Sequence, residues 1–328
     1  MSDEQLRAVE DDAIRDVVAM QQDVGLQSAT DGEFRRASWH MDFIYRLGGI
    51  GQAADEHITV RFHNEQGDIE FTAAALKIDG KIRLEQTIFG EDFQALQAMV
   101  TSATPKLTIP SPNMVHYRGG QAAIDRDVYP DLEQFWSDPG DAYADQVRRI
   151  GELGCTYLQF DDTSLAYLND PAQRAMVAGR GDDAEHLHER YIQQINRALA
   201  GRPPGMAVTT HMCRGNFRSS WAAEGGYDFV AEALFGGLGV DGFFLEYDDA
   251  RSAGSSRWAS SPRASWSSSA WSPPSGASWR TRTSSSGGSR TPAASCRWSS
   301  CACRRSATSP PRSRATCSPT TSRSPSSA

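Results

Sequence analysis

The run Met206-Ala-Val-Thr-Thr-His-Met-Cys-Arg-Gly-Asn216 concentrates reactive side chains at the end of an apolar, β-branched segment. The segment reads as a buried strand that finishes on His211 and Cys213. Side chains two apart on a strand leave from the same face, so both would enter one pocket. Further along, Gly242-Phe-Phe-Leu-Glu-Tyr-Asp248 reads as a second buried strand, and it delivers Glu246. Imidazole nitrogen, thiolate and carboxylate together form a donor set that suits zinc, and three protein ligands leave one position open for a substrate. A His-x-Cys pair alone is as readily a hydrogen-bonded core histidine beside a buried thiol. Glu246 at the end of the next strand moves the balance toward metal.

These side chains need a scaffold that gathers strand ends. Five apolar strands are readable, at 26–30, 106–110, 156–160, 206–210 and 242–247. Each delivers polar groups at its C-terminal end: Asp31 and Glu33, Ser111 and Asn113, Asp161 and Asp162, His211 and Cys213, then Glu246. Amphipathic helices are expected at 3–23, 91–101, 139–153, 183–199 and 227–234, with Pro139 near the start of its helix. Strands alternating with helices predict an α/β fold with a parallel sheet. Reactive groups at nearly every strand end favour a (β/α)8 TIM-type barrel over a doubly wound sheet with one crevice. The barrel is then incomplete, with about five of its eight strands legible. Short alternating runs at 58–62, 69–71 and 75–84, punctuated by Asp79-Gly80, predict a small β excursion near 56–86. Residues 34–55 read as a loop rich in aromatics, among them Trp39 and His40.

Four stretches together resemble the catalytic barrel of the cobalamin-independent methionine synthase family, in the form of its short single-barrel relatives. They are Asp31-Gly-Glu-Phe-Arg35, Leu158-Gln-Phe-Asp-Asp162, His211-Met-Cys-Arg-Gly-Asn216 and Leu245-Glu-Tyr-Asp248. The similarity runs over about residues 5–252, and the His-x-Cys and Leu-Glu-Tyr-Asp pieces are its most specific parts. The resemblance implies transfer of a methyl group from 5-methyltetrahydrofolate, in its polyglutamate form, to the sulfur of homocysteine. The product is methionine, so the activity belongs to methionine biosynthesis. It also implies Zn2+ held by His211, Cys213 and Glu246, with a further family cysteine that has no counterpart here. Glu33 and Asp161 match the family positions that hold the substrate ammonium group, with a helix N-cap or a loop salt bridge as the alternative for each. Ser111 and Asn113, which follow the second readable strand, are candidates to line the folate side. His116 and Tyr117 are further folate-side candidates, with exposed loop aromatics as the alternative. Trp39 and His40 are candidates to stack on a pterin, against packing beneath the loop. No side chain is assigned as an acid, base or nucleophile.

Composition divides the chain in two. Residues 250–328 contain only Ala, Cys, Gly, Pro, Arg, Ser, Thr and Trp, with five Trp and no Leu, Ile, Val, Phe, Tyr or Met. Those eight are the full set encoded by codons with G or C at the middle base. A GC-rich gene read one base out of frame produces that alphabet, because its G/C-biased wobble base then becomes the middle one. A Ser/Arg linker is the alternative, although it gives no reason to keep Trp while excluding every Glu, Lys and Gln. Residues 253–328 are accordingly expected to be a disordered, frame-shifted tail, and residues 1–252 the incomplete barrel. The family's first strand would precede Met1, so the start also reads as clipped.

The tail holds twelve of the 33 basic residues and no acidic ones, which leaves residues 1–249 with 41 acidic residues and a net charge near −20. Such a body is a poor partner for nucleic acid or an anionic membrane surface. Only Cys155 and Cys213 fall within it, a usage that suits a reducing cytoplasm. The expected partners are therefore small molecules: homocysteine or another small thiol, and a methyl-folate. A zinc hydrolase is the reading from another class, and thiolate ligation argues against it. An inactive product is the third: an incomplete, truncated barrel able at most to bind metal weakly.

Overall fold

The computed structural model describes residues 1–246 and Ser252. The expected tail at 253–328, and the last residues of the Leu245-Glu-Tyr-Asp248 stretch, lie outside the described residues.

Helix α1 (Asp3–Asp23) begins on a reciprocal cap in which the Ser2 hydroxyl accepts from the Gln5 amide and the Gln5 side chain accepts from the Ser2 amide. It buries Ile14 and Val18 against Ala29 of β1 (Ser28–Ala29). A short helix α2 (Met41–Ile44) leads into a hairpin of two long strands, β2 (Gly48–Asn64) and β3 (Gly67–Arg83). Helix α3 (Gly90–Met99) and strand β4 (Thr104–Pro105) follow, and β4 pairs in parallel with β1. Strand β5 (Leu107–Pro110), helix α4 (Asn113–Gly119), helix α5 (Leu132–Glu152) and strand β6 (Tyr157–Asp162) come next. Helices α6 (Ser164–Tyr167), α7 (Pro171–Gly179) and α8 (Leu187–Ala198) precede strand β7 (Ala207–Met212). The described part ends with β8 (Asn216–Phe217), β9 (Ser220–Trp221), helix α9 (Ala231–Gly237) and β10 (Gly242–Leu245).

The fold is mixed α/β with parallel sheets. Among the described residues, β5, β6, β7 and β10 form one parallel sheet in the order β10-β7-β6-β5, apart from the β1–β4 pair. One face of this sheet is apolar: Leu107, Ile109, Leu158, Phe160, Val208 and Met212 are all buried. Helices α5 and α8 supply Phe135, Tyr143, Val147, Tyr191 and Ile195 to the same core. The opposite face is polar, with Thr108, Gln159 and Thr209 in register across β5, β6 and β7. Period-two alternation on short strands thus separates packing from chemistry.

Three local expectations are corrected. Helix α5 starts at Leu132, capped by the Asp131 carboxylate on the Glu133 amide at 2.9 Å, so Pro139 sits inside the helix and not at its start. The β excursion is one hairpin of two 17-residue strands, turning at 65–66. Asp79-Gly80 therefore lies within β3. Gly80 instead allows a close strand contact, since a Cβ there would stand 2.9 Å from the Gly49 Cα. Finally, residues 34–55 are not a continuous loop, because α2 and the start of β2 fall within them.

The hairpin is tied into the site region. Its outer face carries cross-strand pairs, Arg61 with Glu70 at 3.1 Å and His63 with Asp68 at 2.7 Å. Phe62 and Phe71 on its other face pack on Phe217, with ring centroids 5.2 and 5.4 Å away. The Asn64 amide donates to the Ser220 hydroxyl at 2.7 Å. The hairpin so steadies the β8–β9 turn, which directly follows Cys213. No helix among the described residues is long and apolar enough to cross a membrane.

Candidate functional site

The C-terminal ends of the parallel strands bring five of the six candidate side chains into two adjoining groups. The first lies at the ends of β7 and β10. The Cys213 sulfur accepts from the Gly215 amide at 3.2 Å and from the Asn216 side-chain nitrogen at 3.3 Å. That same Asn216 nitrogen lies 3.2 Å from Glu246 Oε2. One carboxamide therefore spans the thiol and the carboxylate. Glu246 Oε2 also accepts from the Arg214 amide at 2.9 Å, and the Arg214 guanidinium lies 3.5 Å from Glu246 Oε1. The turn needs glycine at 215: its φ is +78°, and a Cβ there would stand 2.0 Å from the Tyr167 hydroxyl.

Burial, and secondarily the Glu246 charge, push the Cys213 thiol up to about 12. In the metal-free protein this sulfur is a protonated thiol at neutral pH. A bound cation reverses that balance, because it favours the thiolate and offsets the neighbouring carboxylate.

The second group holds His211, Asp161 and Glu33. His211 on β7 is in direct register with Asp161 on β6, and Asp161 Oδ1 is 3.3 Å from His211 Nδ1. A carboxylate on one imidazole nitrogen leaves the other free to ligate, the arrangement usual behind metal-bound histidines. Glu33 is reached through a tight turn in which the Asp31 carboxylate accepts from the Glu33 amide at 3.0 Å. Glu33 itself has a φ of 58°, a strained conformation for a residue with a Cβ. The turn aims its carboxylate at Thr108, whose hydroxyl donates to it at 2.5 Å, and at Arg36, 3.1 Å away. Burial raises the Glu33 pKa and the Asp161 charge adds to this, while Arg36 and the Thr108 hydroxyl oppose it.

Ser111 stands apart from both groups. It is fully buried and donates its hydroxyl to Asp162. Asp162 also accepts from Asn113 at 2.9 Å, Ser164 at 2.9 Å and the Leu165 amide at 2.8 Å. His116 and Tyr117 are buried, not exposed. His116 contacts Tyr191 at 2.9 Å, and the Tyr117 hydroxyl donates to Gln173 at 2.9 Å. Trp39 and His40 lie against each other with centroids 4.3 Å apart. Burial, with help from Arg118, lowers the His40 pKa well below the usual imidazole value.

Among the described residues, no three His, Cys, Asp or Glu side chains converge at metal-ligating distance. The donor chemistry of His211, Cys213 and Glu246 nevertheless fits zinc: one nitrogen, one sulfur and one carboxylate, with their polar neighbours already placed around them. Arg36, Thr108, Gln159 and Asn216 were not singled out in the sequence. A polar residue alternating with apolar ones, as in Lys106-Leu-Thr-Ile109 and Leu158-Gln-Phe160, is the signal that marks two of them.

No family model matches the chain. It is 42% identical over 255 residues to the uncharacterised protein YxjG of Bacillus subtilis (strain 168), and 42% identical over 252 residues to YxjH of the same organism. Each match covers 77% of this chain and 65% of the relative's length, so the chain spans less than two thirds of either. Among solved structures, a candidate vitamin-B12-independent methionine synthase from Listeria monocytogenes is similar at 38% identity. Its TM-score is 0.59, with 75% of this chain and 64% of that one covered. A B12-independent methionine synthase from Shewanella sp. W3-18-1, solved with selenomethionine, shares the fold. That match has 18% identity and a TM-score of 0.57, and covers 77% of this chain and 67% of that one.

Proposed function

We propose that this chain carries the catalytic part of a cobalamin-independent, zinc-dependent methyltransferase. It would move a methyl group from 5-methyltetrahydrofolate to a thiol, homocysteine above all, on an incomplete (β/α)8 barrel. The observation that carries the reading is the single Asn216 carboxamide reaching both Cys213 and Glu246, beside a His211 already backed by Asp161. Resemblance to the Listeria protein supports the reaction class. His211, Cys213 and Glu246 would hold the metal. Bound zinc would supply the positive charge that keeps a substrate thiol deprotonated at neutral pH.

The remaining residues bind and orient. Glu33 and Asp161 present two carboxylates to a substrate ammonium group, and Thr108 and Arg36 hold the Glu33 carboxylate in place. The raised Glu33 pKa suits a site completed by a cation, since an ammonium group restores the charge balance that burial disturbs. A thiol ligand set also disfavours a hydrolytic zinc site, whose metal activates water.

Glu33→Gln removes one charge-assisted hydrogen bond to the amine. Such a bond contributes about 1.5–3 kcal/mol, so homocysteine affinity should fall roughly tenfold or more while zinc affinity stays unchanged. Calorimetric titration of homocysteine into zinc-loaded protein tests this. Unchanged homocysteine affinity would remove Glu33 from the substrate site. Methyl transfer itself is read by methionine formation from methyltetrahydrofolate and homocysteine.

A further inference from the structure

A half-buried lysine stands behind this site. Lys106 lies immediately before β5, with its ammonium 5.0 Å from the Tyr157 ring centroid and 5.2 Å from that of Phe244. It donates to Gln159 Oε1 at 2.7 Å. Gln159 Nε2 donates to Asp161 Oδ1 at 2.6 Å, and the same Asp161 oxygen is 3.3 Å from His211 Nδ1. Gln159 and Asp161 are two apart on β6, and His211 is the direct cross-strand neighbour of Asp161. The chain of contacts therefore runs along the polar face of the sheet, from its floor to the strand ends.

Every link in this chain has a direction imposed by chemistry. An ammonium group has donors only. The Gln159 carboxamide must therefore turn its oxygen to Lys106, which leaves its NH2 for Asp161. A carboxylate only accepts, so the His211 nitrogen facing Asp161 must carry the proton. We infer that Lys106, acting through Gln159 and Asp161, sets the tautomer of His211, with the proton on Nδ1 and Nε2 left bare to act as a ligand. Lys106 is thus a positioning residue. Without it the Gln159 amide loses its preferred orientation, and Asp161 loses the donor that keeps it aligned with the imidazole. Burial lowers the Lys106 pKa while the Asp161 charge opposes this, so removing either member disturbs the other.

The inference rests on the proposed role of His211 only where zinc is measured. The test uses the full chain, metal-free and labelled with 15N-histidine, at pH 8. Two-bond proton–nitrogen correlations report which ring nitrogen is protonated, and His211 is identified by the signal lost in His211→Asn. The wild type should show Nδ1–H and a bare Nε2. Lys106→Met and Gln159→Leu should each yield a mixed tautomer population, whereas Lys106→Arg, another pure donor, should retain the wild-type pattern. Zinc affinity, read by competition with a chromophoric chelator, should fall roughly tenfold to a hundredfold in the first two variants, the usual effect of losing an outer-shell partner. If Lys106→Met fails to melt cooperatively, Gln159→Leu and Lys106→Arg carry the comparison. A folded Lys106→Met or Gln159→Leu variant with His211 still wholly Nδ1–H would overturn the inference. A wild type that binds no zinc, but whose His211 tautomer still responds to Lys106, would sink the metal reading and leave the relay standing.

Discussion

Replacing Asp162 with Ala is expected to cost about 3–4 kcal/mol of stability, enough to lower the melting temperature by roughly 10 °C. The carboxylate is buried, and each of its oxygens accepts two hydrogen bonds. Oδ1 takes Ser164 and the Leu165 amide, and Oδ2 takes Ser111 and Asn113. Deleting it strands four buried donors on three elements: the β5 end, the start of α4 and the start of α6. Asp162→Asn separates acceptor from charge. Its NH2 can face only the Ser111 side, because the Leu165 amide cannot turn around. On that side Asn113 can rotate its carboxamide, whose buried oxygen has no hydrogen-bond partner in the present arrangement. The Asn variant should therefore cost only about 1–2 kcal/mol. The two variants also differ with pH. Burial raises the Asp162 pKa above the ordinary 3.8, so the folded state holds this proton more tightly than the unfolded one. Its contribution to stability is full below that ordinary value and is lost as pH rises through the folded one. Asp162→Asn should remove this component of the acid-range profile. Thermal melts across pH 3–8 decide the matter, and equal melting temperatures for wild type and Asp162→Ala would mean the network is not what joins the strand ends.

Cys213→Ala is expected to weaken zinc binding by roughly a hundredfold while leaving the metal-free fold intact. Full four-ligand zinc sites bind with about 10–16 kcal/mol, so one ligand accounts for about 3 kcal/mol, or two decades in affinity. The fold should tolerate the change because the Cys213 sulfur is an acceptor for Gly215 and Asn216, and the Asn216 nitrogen keeps Glu246 when the sulfur is gone. Asn216→Ala should have a smaller effect on zinc, since it removes a neighbour of the ligands and not a ligand. Chelator competition on both variants measures this. Equal zinc affinity in wild type and Cys213→Ala would place the metal elsewhere or nowhere.

How much of this was legible in the sequence depended on periodicity. The α1 stripe and the apolar alternation of β5, β6 and β7 marked those elements to within a residue or two, and with them the strand-end positions of Asp161, His211 and Cys213. The hairpin was legible as β structure but not as one pair of strands. Asp79-Gly80 has turn chemistry, yet it falls inside β3, at a register shift where the two strands meet closely at Gly49 and Gly80. Ser111 illustrates a different limit. A serine after a strand looks like a binding residue, and only the position of the Asp162 side chain shows that its hydroxyl is already occupied. Asn216 and Lys106 were invisible for the same reason. Lys106 matters through Gln159, 53 residues on, and Asn216 through joining nearby Cys213 to Glu246, 30 residues on, and no local pattern encodes contacts at those separations.

X-ray absorption at the zinc edge, recorded on zinc-loaded protein before and after adding homocysteine, tests the central claim most directly. With Cys213 as the thiolate and His211 and Glu246 as the other ligands, the first spectrum should contain one sulfur at about 2.3 Å and otherwise nitrogen and oxygen. Homocysteine should raise the sulfur count to two. A first spectrum with four sulfurs would assign the metal to the cysteines between 296 and 317, and a sulfur count unmoved by homocysteine would contradict a thiol-binding zinc site at the strand ends.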